Sequence, residues 1–129
     1  MAWFEAHETM AKHPKTLRLA RLLGTDRRYA VGLLHDLFSW GLSAAGKYGE
    51  LRDMTAEDIA AALDLPRRKG LAAVEALVVS GYLEYDGTLY TIHDWYDYAG
   101  KLFDRREQDA KRKAAARRMS AGLPPDFHA

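Results

Sequence analysis

The sequence contains no cysteine. Disulfides and thiolate metal sites are therefore excluded, which agrees with a reducing cytoplasm. No apolar run approaches the ~18 residues that a membrane span needs. The opening MAWFEAHETMAKHPK carries acids and no apolar core, so it does not read as a secretion signal. HExxH, G-x-S-x-G, the Walker A loop and G-x-G-x-x-G are all missing. The five histidines (His7, His13, His35, His93 and His128) show no metal-ligand spacing, and each is read as structural. No catalytic residue, cofactor or metal is expected, and no membrane partner. Net charge is nearly absent too, at +1 over 129 residues, so the overall balance points to no partner.

What is present is an ordinary globular composition, 48% hydrophobic, in a chain of single-domain length. The charge is unevenly placed. Residues 1–100 carry 11 Lys and Arg against 14 Asp and Glu, whereas residues 101–129 carry 8 against 4. A basic C-terminal segment of this kind points to a polyanion.

Residues 2–8 are expected as a short strand or extended arm anchored by Trp3 and Phe4. His13-Pro14 opens a helix, since proline suits the first helical position, and Gly24 ends it. A longer helix starts at the N-cap Asp26 and runs to about Ala45. Tyr29, Ala30, Leu33, Leu34, Leu37, Phe38 and Gly41 follow its 3.6-residue period and are expected in the core. Gly46 and Gly49 break it, and Glu50-Leu51-Arg52 is short enough to add a strand.

The stretch Thr55 to Ile92 carries the most specific pattern. TAEDIAAALDL is a helix opened by a capping box, with Asp58 in the place of the usual Glu or Gln. Asp64-Leu65-Pro66 forms a turn. RRKGLAAVEALVVSGY is a second helix, with Leu71, Val74, Leu77 and Val78 toward the core and Gly70, Ala73, Glu75 and Ala76 outward. YLEYDGTLYTI is a hairpin expected to turn on Asp86-Gly87, pairing Tyr85 with Thr88 and Leu83 with Tyr90. Leu83, Tyr85, Tyr90 and Ile92 would face inward. From Trp95 the pattern returns to helix, capped by Asp94 and packed by Trp95, Tyr98, Leu102 and Phe103. Beyond Phe103 no apolar side chain larger than alanine occurs until Met119.

The expected fold is mainly α (α+β): a winged helix-turn-helix with a small β-hairpin wing and a basic C-terminal helix. Residues 1–95 would form the winged-helix domain, 96–121 the basic helix, and 122–129 a disordered tail. Helix–turn–helix–hairpin order usually serves nucleic acid. Arg67, Arg68 and Lys69 open the second helix, where cations oppose the macrodipole. Two readings compete for them: phosphate contact, aided by the free N–H groups of the first turn, or a solvated basic turn. Lys101, Arg105, Arg106, Lys111, Arg112, Lys113, Arg117 and Arg118 line the tail. They suit either a phosphate backbone or a soluble, alanine-rich surface helix. Against strong base readout, the second helix offers no bidentate donor past its first turn, and the wing tip is acidic.

Several strings resemble one family together. HPKTLRLARLLG, AVGLLHDLFSWGL, IHDWYDYAGKL and the basic tail are similar to the N-terminal domain of phage replisome organizers, the DnaD-like replication initiation proteins of phages and prophages. The resemblance covers roughly residues 3 to 113. It implies a winged-helix domain that binds origin DNA or assembles there, in the cytoplasm of a bacterial host. It implies double-stranded DNA as partner, with single-stranded DNA as the alternative, and replication proteins or a second copy of the chain as further partners. In that family a further C-terminal domain often recruits the helicase or its loader. Two other readings stay open: a protein-interaction or dimerisation module, and a small transcriptional regulator.

Overall fold

A computed structural model describes residues 10–122, apart from the side chains at 11 and 100–102. The expected arm at 2–8, with Trp3 and Phe4, and the tail at 123–129 lie outside the described residues. A 3-10 turn at Met10–Lys12 precedes α1 (Pro14–Leu23) and α2 (Arg27–Ala44). Strand β1 (Glu50–Leu51), helices α3 (Ala56–Ala62) and α4 (Arg67–Ser80), and strands β2 (Leu83–Tyr85) and β3 (Tyr90–Ile92) follow. A π-helical turn (Tyr96–Gly100) then runs into α5 (Lys101–Ser120). The fold is α+β, mainly helical, with one antiparallel sheet of order β1-β3-β2.

Local chemistry sets the helix starts. His13 Nδ1 accepts from the Lys15 N–H at 3.1 Å, ahead of Pro14. Asp26 Oδ1 accepts from the Tyr29 N–H at 2.9 Å. The capping box is complete: Thr55 Oγ1 accepts from the Asp58 N–H at 3.2 Å, and Asp58 Oδ2 accepts from the Thr55 N–H at 2.9 Å. Such caps contribute about 1 kcal/mol each.

The core lies between α2, α1, α4 and the inner sheet face. Leu34, Leu37 and Phe38 of α2 meet Leu19 of α1, Ile59 of α3, Leu77 of α4 and Ile92 of β3, all essentially without exposure. Trp95 is buried against this cluster, 6.3 Å from Phe38 between ring centroids. It fits because Gly41 carries no Cβ: one there would lie 2.8 Å from both Ile92 Cδ1 and the Trp95 ring. Trp95 Nε1 finds no acceptor among the described residues. Helix α1 is also tied to the connection between α4 and β2, where Thr16 Oγ1 and the Tyr82 hydroxyl lie 2.6 Å apart and buried.

Four expectations need correction. Tyr29 is 48% exposed; it sits in the first turn of α2, where it lines an open cleft with Gly32, Leu33, Leu63 and Leu65 instead of being covered. Gly70, Ala73 and Ala76 are buried, not outward. Helix α4 is packed on two sides, by α3 and by α1, and its small residues permit both approaches. The outward face therefore carries Arg68, Lys69, Ala72, Glu75 and Val79, while Leu71 and Val78 are half-buried.

The hairpin register is the third correction. Tyr85 pairs with Tyr90, Glu84 with Thr91 and Leu83 with Ile92, so the loop spans 86–89 instead of two residues. Asp86 Oδ1 accepts from the backbone N–H groups of Thr88 (2.9 Å) and Leu89 (2.8 Å) and from the Thr88 hydroxyl (3.0 Å). That side-chain turn replaces the tight backbone turn. A slip of two leaves each side chain on its expected face: Leu83 and Ile92 are buried, while Tyr85 and Tyr90 stack on each other at 4.2 Å. Tyr85 is nonetheless 48% exposed, because the sheet face extends past the core there. Lastly, the Asp94 carboxylate is not aimed at a helix cap. Asp94 adopts a left-handed backbone, φ 54°, and its carboxylate meets His93 Nε2 at 3.2 Å.

Helices α3 and α4 approach closely at Gly70, where a Cβ would fall 2.4 Å from Ala60 Cβ. Gly70→Ala should lower stability by about 1–3 kcal/mol through overpacking, despite alanine's better helix propensity. Pairing it with Ala60→Gly should restore part of the loss. Denaturant midpoints of the two variants check this; a stabilised single variant would refute the close packing.

Candidate nucleic-acid interface

The turn between α3 and α4 aims the first turn of α4 outward. Asp64 (φ 56°) reverses the chain, and the Leu65 N–H returns to the Ala60 carbonyl at 3.3 Å. Pro66 then opens α4 with extended backbone and no side-chain cap. The first-turn N–H groups have no intrahelical acceptor. Arg67, Arg68 and Lys69 are all exposed beside them. Arg67 Nη2 donates to Glu57 Oε1 of α3 at 3.0 Å, an exposed pair worth under about 1 kcal/mol. Arg68 and Lys69 form no ion pair among the described residues. The sequence-level triplet thus divides into one cation partly neutralised by α3 and two that are open.

The hairpin brings acid near this basic turn's own module. The Leu89 and Thr88 N–H groups hold the Asp86 carboxyl below its ordinary value, which favours the carboxylate in this loop. Glu84 Oε1 lies 2.5 Å from His93 Nδ1, and Asp94 faces the other ring nitrogen. The polar cluster expected around His93 is therefore a link between β2 and the start of the C-terminal helix. Beside it, Met10, His13, Lys15, Tyr82, Asp94 and Tyr98 share a cavity of about 430 Å³ with His93. Among the described residues, no group of three or more His, Asp or Glu is placed to hold a metal ion.

Helix α5 is tied to the rest of the fold at its root. Asp104 accepts from the Tyr96 hydroxyl at 2.9 Å and pairs with Lys47 Nζ at 2.5 Å. The Lys47 contact, then the Tyr96 hydroxyl, hold the Asp104 carboxyl below its ordinary value. The same Asp104 contact raises Lys47, and it raises the Tyr96 phenol. Phe103 is half-buried. Past this point Arg105, Arg106, Lys111, Arg112, Lys113 and Arg117 are exposed, and Arg118 is half-buried. Arg112 pairs with Asp109 one turn away. The Lys101 side chain lies outside the description.

Two residues that the sequence pattern did not single out belong to this surface. Lys47 and Tyr48 sit between the helix-breaking glycines 46 and 49. Tyr48 stacks on Tyr96 at 5.6 Å, nearly parallel at 23°. No periodicity signals them; the only sequence cue is an aromatic beside a lysine in a glycine-bounded loop.

No protein-family model, curated protein or solved structure matches the chain. Among the described residues, no helix is long and apolar enough to cross a membrane.

The Asp104 contacts carry a pH dependence. A depressed carboxyl stabilises above the ordinary aspartate value of 3.8 and loses that effect as pH falls through its lower folded value. A raised lysine stabilises below 10.5 and loses that effect as pH rises through its higher folded value. The stability gap between the native chain and Asp104→Asn should therefore be level at mid pH and close at both extremes. Thermal unfolding across pH checks it, and an equal gap at acid and neutral pH would count against the pairing.

Proposed function

We propose that the chain is a non-enzymatic, winged-helix DNA-binding protein acting in phage or prophage DNA replication initiation, within a bacterial cytoplasm. Helix α3, the turn and α4 would be its helix-turn-helix, and β2–β3 its wing. The order of α3, α4 and the hairpin, with β1 pairing to β3, supports this reading of the fold. The observation that carries the function is the uncapped first turn of α4, which exposes Arg68 and Lys69 beside unpaired N–H donors. Arrangements of this kind hold phosphate oxygens. The cations of α5 would add a second contact to the backbone.

Sequence discrimination would be modest. The exposed face of α4 beyond its first turn is Ala72, Glu75 and Val79, none able to make a bidentate base contact. The anionic hairpin loop would stand off the duplex. That same loop favours a second reading, in which the domain docks a protein partner or its own copy. A small transcriptional regulator would share the DNA-binding surface but act at a promoter. The replication role rests on the resemblance of the His13–Gly24, Ala30–Leu42 and Ile92–Leu102 strings to phage replisome organizers.

A salt-titrated binding assay with duplex DNA tests the reading. Arg68→Ala with Lys69→Ala should weaken binding on all sequences alike and reduce the slope of log affinity against log salt by about 2. Glu57→Gln, which frees Arg67, should strengthen binding. Unchanged affinity and slope in the double variant would remove α4 from the interface; no binding at low salt would favour the protein-docking reading.

A further inference from the structure

We propose that Tyr48, backed by Tyr96, is a stacking platform for an unpaired base, so that single-stranded DNA is a ligand of this chain. The inference rests on the nucleic-acid reading above but on a different surface. Tyr96 covers one side of the Tyr48 ring, and Tyr48 remains 62% exposed, high for a large aromatic side chain in a fold that buries Phe38 and Trp95. The platform is rigid. The Tyr96 hydroxyl is fixed on Asp104 at 2.9 Å, and the Tyr48 N–H donates to Glu50 Oε1 at 2.7 Å. Lys47 Nζ lies 5.9 Å from the Tyr48 centroid and 5.7 Å from that of Tyr96. Its pairing with Asp104 leaves the immediate surroundings close to neutral, so the carboxylate does not repel a strand.

Charge next to the platform favours a polyanion. Counting from Asp104, which touches both Tyr96 and Lys47, positions four, seven and eight residues on share its face of α5. They are Gln108, Lys111 and Arg112, all exposed. Lys111 stands about 10 Å beyond Asp104 along the axis and forms no ion pair among the described residues. A base on Tyr48 would thus place its strand at the start of a polar and cationic stripe. Single-strand binders combine these two elements, aromatic faces for bases and cations for phosphates. The other exposed tyrosine stack, Tyr85 on Tyr90, lacks the second element, since Glu84 and Asp86 flank it. A duplex keeps its bases stacked on each other and has no face to offer Tyr48, so the platform selects unpaired strands.

Fluorescence anisotropy with labelled oligothymidylate, an equal-length duplex and an abasic oligomer of the same backbone tests this. Tyr48→Ala should weaken oligothymidylate binding about 5- to 150-fold, whereas Tyr48→Phe should hold the native affinity. Duplex affinity should not change, and native chain and Tyr48→Ala should bind the abasic strand equally. Equal binding of oligothymidylate by native chain and Tyr48→Ala would overturn the proposal, as would a matching loss on the abasic strand. Tighter binding of oligouridylate than oligothymidylate would overturn the choice of DNA. Arg68→Ala with Lys69→Ala separates the two claims: loss of duplex binding there, with Tyr48→Ala silent, removes only the platform. Absence of all binding removes both.

Discussion

Everything in this fold is arranged around Trp95. Its ring occupies space left by the missing side chain of residue 41, where a Cβ would meet the ring at 2.8 Å. Its backbone end packs on Gly49, where a Cβ would meet the Ile92 carbonyl oxygen at 2.4 Å and Trp95 Cβ at 2.8 Å. Through this one residue the C-terminal part of α2, the end of the sheet and the approach to α5 are locked together. Ile92, three residues earlier, is buried in the same place, so the hairpin and the C-terminal helix share a single anchor. Removing a side chain of this size from a core costs about 3–5 kcal/mol. That loss would fall at the junction of three elements.

The near-zero net charge conceals a segregated surface. The hairpin and the turn after it carry acid, at Glu84, Asp86 and Asp94, where the Asp86 turn and His93 hold it in place. Cations cluster on α1 and the start of α2, on the first turn of α4 and along α5. Intramolecular contacts moderate the basic regions, Glu57 on Arg67 at the start of α4 and Asp109 on Arg112 within α5. Arg68, Lys69 and Lys111 are exposed and form no ion pair among the described residues. Segregation of this kind orients a molecule in the field of a polyanion, which total charge cannot do.

Features that depend on a few neighbouring residues were legible in the sequence. Asp26, Thr55 with Asp58, and His13-Pro14 each start a helix where their local hydrogen bonds require it. The short strand at Glu50–Leu51 was also expected. What escaped depended on distance or on small side chains. The α4 face escapes because large residues define an apolar period, whereas here the small residues Gly70, Ala73 and Ala76 are buried as well. The loop at Asp86 was misjudged because a carboxylate competes with the backbone for turn N–H groups. The phosphate-facing candidates could be named from charge alone, but the Arg67–Glu57 pairing could not, since it joins separate helices. Tyr48 and Tyr96 lie far apart in the chain and meet only through the fold, so no local pattern announces their stack.

The π-helical turn at Tyr96–Gly100 sets the rotational phase of everything after it. Each residue of an α-helix advances about 100° around the axis, while a π turn closes its hydrogen bonds one residue later. The same residues wound as continuous α-helix from Trp95 would swing Asp104 off the side facing Lys47, and Gln108 and Lys111 with it. The wide turn therefore works as an indexing device. It leaves the composition of the basic helix untouched and decides the compass bearing of its charges relative to the body of the protein.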